Sequence, residues 1–120
     1  MLDESNSILL SVKKLIGSDE YFNPDLIMHI NTVFSKLQQM GVGPKEGFAI
    51  EDDITTWDEY TDDKPMLNMV KTYMVLQVRL MFDISTASSY LIDTMKQQSA
   101  ELEWRLNTAC EYWEDKTDEE

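Results

Sequence analysis

"PMLNMVKTYMVLQVRLMF" runs from Pro65 to Phe82. Plotted at about 100° per residue, Met66, Leu67, Met69, Val70, Tyr73, Met74, Leu76, Val78, Leu80, Met81 and Phe82 cover most of a helical circumference. Asn68, Lys71, Thr72 and Arg79 share one narrow polar strip. A helix apolar nearly all round is buried at the centre of a bundle, with its neighbours disposed about it. Gln77 points into the apolar side, so it needs a hydrogen-bond partner there.

The flanking stretches supply those neighbours. Ile8, Leu9, Leu10, Val12, Leu15 and Ile16 recur near a 3.6-residue period, which predicts a helix from about Ser5 to Ile16. Lys13 and Lys14 suit its negative C-terminal end, and Gly17 can stop it. A second helix starts clearly: Asn23 can cap, Pro24 suits the first turn and Asp25 favours the positive end. Leu26, Ile27, Ile30, Val33, Phe34, Leu37 and Met40 form its apolar face. Gly41 ends it, and the loop "GVGPKEG" follows.

Between Phe48 and Asp63 the pattern weakens. "FAI" reads as a short strand or an extended arm, and "TTWDEY" as a short helical turn capped by Thr55 or Thr56. Acids crowd Glu51 to Asp63. Connections of this length are usually functional or mobile. A last helix follows "DISTASS". Leu91, Met95, Gln98, Leu102, Leu106, Ala109 and Trp113 repeat at steps of four and three, a stripe suited to packing on another helix. Trp113 falls on the stripe and reads as core. Trp104 falls almost opposite, with Tyr90, Gln97, Glu101 and Thr108. Two readings of Trp104 follow: the Phe48–Tyr60 segment folds over it, or it anchors a contact with another protein chain. The expected architecture is an all-α small bundle of about four helices, with a long acidic loop between the second and third long ones. Residues 1–113 form the domain, and 114–120 a frayed acidic tail.

Composition narrows the function. The chain has 120 residues, 42% of them hydrophobic, and a net charge of −13. That is enough apolar material for a core, and a surface that repels nucleic acid. The N-terminus has no basic region ahead of its apolar run, so no secretory signal is expected. No apolar run reaches the roughly 20 residues that span a bilayer. The single cysteine, Cys110, cannot form an intrachain disulfide and reads as a small core residue beside the stripe. His29 is the only histidine and lies within a helix. No nucleophile motif, dinucleotide fingerprint or phosphate loop is present. "EDDITTWDEYTDD" lacks the glycine and ligand spacing of an EF-hand, and reads as a solvated acidic loop. The expectation is therefore no enzyme, no cofactor and no metal.

Four stretches, in order, resemble the small head-tail connector (adaptor) proteins of tailed bacteriophages: "PDLIMHINTVFSKLQQMGVG" from Pro24, "ITTWDEY" from Ile54, "MVKTYMVLQVRLMFD" from Met69 and "ELEWRLN" from Glu101. They span most of the chain. One departure follows "FD", where Ile84 and Ser85 stand in place of prolines common in such proteins. The resemblance implies a helical bundle without catalytic activity that assembles with itself into a ring, a dodecamer matched to the portal. It implies the portal protein and a downstream tail-completion or stopper protein as partners. It also implies residence at the head-tail interface of the virion, after assembly in the host cytoplasm. Neither sequence-specific nucleic-acid binding nor a membrane is implied. The residues expected at protein interfaces are Trp104, Tyr90, Glu101 and Thr108 on the last helix, and Phe48, Ile50, Trp57 and Tyr60 in the docking segment. A different class competes: an acidic DNA mimic that inhibits a nucleic-acid-binding host protein.

Overall fold

The computed structural model describes residues 6–17, 23–61, 63–82 and 88–118, with the backbone alone described at 82 and 109–118. It contains α1 (Ile8–Ile16), α2 (Asn23–Gln39), the single turn α3 (Trp57–Tyr60), α4 (Lys64–Phe82) and α5 (Ser89–Asp118). The molecule is mostly helical, and the described residues form no strand. α4 packs against α1, α2 and α5, as its apolar circumference requires. Its exposed residues include Asn68, Thr72 and Arg79, on the narrow polar strip.

The caps explain where the helices begin and end. Ser7 accepts a hydrogen bond from the Leu10 amide at the start of α1. Gly17, with φ 74°, ends it in the left-handed region. Arg79 of α4 then donates to the Leu15 carbonyl at 3.0 Å, satisfying a group the helix leaves open. At the end of α2 the Val42 amide donates to Leu37 and the Gly41 amide to Gln38, the two bonds of a Schellman turn. Asn23 is the first residue of α2 rather than the residue before it. Asp63 caps α4 through the Met66 amide at 3.2 Å, and Ser88 caps α5 through Leu91 at 3.1 Å. α5 runs as helix to Asp118. The side chains of Ala109, Cys110 and Trp113, and the residues Ile84 and Ser85, lie outside those described.

The segment from Phe48 to Tyr60 departs most from expectation. "FAI" forms no strand, and it is tied down to α2. The Asn31 side-chain amide holds both backbone groups of Ile50, accepting from its N–H at 2.8 Å and donating to its carbonyl at 3.0 Å. Further along, Ile8 N–H donates to Thr55 and Trp57 N–H donates to Asn6, tying the segment to the start of α1. The Glu59 carboxylate accepts from the Thr56 amide at 2.7 Å and closes α3. The Trp57 indole donates to Ser11 at 2.9 Å. Phe34 of α2 lies 5.1 Å from Phe48 and 5.0 Å from Tyr60, ring centre to ring centre. Gly43 matches this packing: a Cβ there would meet the Tyr60 hydroxyl at 2.6 Å. Ile50, Trp57 and Tyr60 are therefore core residues, and Phe48 packs against that core. Expected at a docking surface, these side chains are instead taken up within the subunit, and that burial lets so long a connection fold back.

α4 and α5 run antiparallel. Gln77 donates to Ser99, and Tyr73 donates to Glu103 at 2.7 Å, so a step of four along one helix matches four along the other. Lys36 of α2 donates to the Gln77 carbonyl oxygen at 2.9 Å. The polar side chain expected to need a partner thus has two, and it joins three helices. This contact also corrects the stripe of α5. Leu91 and Gln98 are exposed, while Ser99 is buried against Gln77.

Replacing Gln77 by Leu leaves the Ser99 hydroxyl without its partner, at an expected cost of about 1–3 kcal/mol. Gln77→Leu with Ser99→Ala should regain most of that loss in urea titrations, because both polar partners are then gone. Tyr73 gives a second expectation. Burial, with the Glu103 carboxylate beside it, raises the Tyr73 phenol well above the ordinary tyrosine value. The unfolded chain then releases the proton first, so this contribution is complete below pH about 10 and is lost as pH rises further. Wild-type urea midpoints should fall more steeply above that pH than those of Tyr73→Phe.

Candidate protein-interaction site

α5 touches the bundle mainly through α4. Met95, Ser99 and Leu106 are buried on its inner side, with Leu102 packed against the core. The opposite side carries Tyr90, Gln97, Glu101, Trp104 and Thr108, all exposed. Trp104 is 68% exposed and Tyr90 82%. The Phe48–Tyr60 segment does not fold over Trp104, since it is spent on α1 and α2. The expected site residues thus divide: the four on α5 share one open face, whereas in the segment Ile50, Trp57 and Tyr60 are buried and Phe48 is half-buried.

The polar neighbours of the two aromatic rings are satisfied within α5. Thr108 donates to the Trp104 carbonyl and Thr94 to the Tyr90 carbonyl, each at 2.9 Å. Arg105 pairs with Glu101 at 2.7 Å. That pair is exposed, so it contributes little stability. Its effect is local, because it neutralises both charges beside the indole. Two large aromatic side chains thus stand open on one face, about four turns apart, with their polar neighbours satisfied locally, the character of interface anchors. Leu91, 48% exposed, borders Tyr90 and was missed because its spacing matched the stripe.

Among the described residues no group of His, Cys, Asp and Glu is arranged to hold a metal ion. None of the described helices is long and apolar enough to cross a membrane.

A family model described as "Phage connector protein" matches residues 8–113. The chain belongs to the phage connector protein family. The match covers α1, α2 and α4 whole, the 48–60 segment, and α5 as far as residue 113. A connector of this family is a structural component of the virion that joins phage head and tail. No curated protein and no solved structure matches the chain.

The two described tryptophans should behave oppositely in the isolated connector. Trp57→Ala removes a side chain 1% exposed and should cost about 3–5 kcal/mol. Trp104→Ala should change the urea-derived stability by less than about 0.5 kcal/mol. A large loss for Trp104→Ala would show that the indole is covered in solution.

Proposed function

We propose that this connector is the subunit of a ring beneath the portal, extending the DNA channel and offering a platform to the next tail-completion or stopper protein. The observation that carries the reading is the outer face of α5. That helix spends its inner stripe on α4 and still presents Tyr90, Leu91 and Trp104 to solvent. Trp104, Tyr90, Glu101 and Thr108 form a surface that meets another chain at the head-tail junction. A dodecamer matched to the portal is the expected assembly, and a head-to-tail ring requires two different surfaces per subunit.

The charge supports the same role. At −13 the subunit repels the phosphate backbone, so DNA passes without adhering. Mimicry of DNA would instead favour acids set at phosphate-like intervals, about 3.4 Å per strand. Here acids concentrate between Glu51 and Asp63 and in the last residues of the chain.

The test is molecular mass by light scattering after size-exclusion chromatography, with and without the portal of the same phage. A ring, or a shift of the connector onto the portal, is expected. Trp104→Ala should weaken that assembly while the isolated protein stays folded. A monomer that ignores the portal would overturn the proposal.

A further inference from the structure

The two ends of α1 differ in charge, and each surrounds one exposed aliphatic side chain. At the C-terminal end lie Lys13, Lys14 and Arg79, the last held there by its bond to the Leu15 carbonyl. Leu15 itself is 58% exposed. At the N-terminal end, Ser7 donates to the Asp53 carbonyl at 2.7 Å and Asn6 donates to the Asp58 carboxylate at 3.1 Å. Those bonds hold the turn of Glu51, Asp52, Asp53 and Asp58 against the helix start. Ile54 stands in that turn, 64% exposed. The ends are about 14 Å apart along nine residues of helix.

The helix dipole favours this polarity of charge, but it does not account for an uncovered leucine and an uncovered isoleucine at the two foci. Nor does it account for the missing partners. In a chain with 23 acids and 10 bases, a cation readily finds a carboxylate. Yet Lys13, Lys14 and Arg79 are in no ion pair with another described residue, a state they share with Lys36, Lys45, Lys64, Lys71 and Lys96. Asp19 and Glu20, the next acids along the chain, lie outside the described residues.

From this we infer that the two ends of α1 are the two halves of a head-to-tail contact between copies of this chain. The Lys13, Lys14 and Arg79 corner of one copy receives the 51–58 turn of the next, with Leu15 against Ile54. The surfaces are different and complementary, which is the requirement for a heterologous interface that repeats around a ring. Opposite charges also steer the approach of two subunits that otherwise repel, each at −13. The inference rests on the ring reading and deepens it by naming the neighbour contact. It leaves the Trp104 face for a different chain.

Charge exchange tests it. Lys13→Glu with Lys14→Glu, and separately Glu51→Lys with Asp52→Lys, should each raise the concentration needed for assembly, alone or on the portal, on the order of tenfold. Joining all four substitutions in one chain restores opposite charges and should return assembly toward wild type. Circular-dichroism melts of each variant check the fold. Wild-type assembly unchanged by either reversal, or lost without rescue by the exchange, would overturn this contact and leave the ring standing. A wild type that never assembles, even on the portal, would overturn both.

Discussion

α4 is the constraint on which everything else depends. A helix apolar around most of its surface cannot meet water on three sides, so the remaining chain must enclose it. α1, α2 and α5 each take one sector, and Thr72 and Arg79 mark the strip left for solvent. The long 48–60 segment then fills space over α1 and α2. Trp57, fully buried, holds it there through one hydrogen bond to Ser11 and ring contacts reaching Phe34. Lys71 of α4 lies 5.7 Å from the centre of the same indole, so α4 reaches this layer too.

Polar groups inside this core specify rather than merely tolerate the arrangement. Lys36, Gln77 and Ser99 tie α2, α4 and α5 at one level, and Tyr73 with Glu103 repeats the tie one turn away. Sliding α5 by a residue would leave both bonds unmade in a dry environment, a cost that apolar contacts alone would not impose. α5 is thereby held in one register on α4 although little else touches it. A helix so placed can expose its far side without weakening the domain.

That division of labour suits a component of an assembly. The stability of the connector lies in α4 and its wrapping, whereas the outer face of α5 and the exposed Leu15 and Ile54 side chains contribute little to it. Those surfaces combine uncovered apolar side chains with charges that are either paired locally, as at Trp104, or segregated by sign, as along α1. The net negative charge opposes adhesion of DNA, and three of the ten Lys and Arg residues, Lys13, Lys14 and Arg79, lie together at one end of α1.

Much of the fold was legible from residue patterns. The periodicity of α1, α2 and α4, the glycines after α1 and α2, and the need of Gln77 for a partner all follow from local geometry and the cost of burying polar groups. That Trp104 falls opposite the stripe was legible too, but whether the Phe48–Tyr60 segment covers it was not, because spacing along α5 carries no sign of where that segment packs. Tertiary structure alone decided three things. It sent Ile50, Trp57 and Tyr60 inward, since an aromatic segment without regular period carries no sign of which surface will bury it. It chose Ser99 over Gln98 for the seam, where the Ser99 hydroxyl accepts from Gln77. It also brought Arg79 to Leu15 and Asp53 to Ser7, giving α1 its two unlike ends. Sequence spacing records which residues share one helix face; contacts between residues 64 and 46 positions apart exist only once the chain has closed on itself.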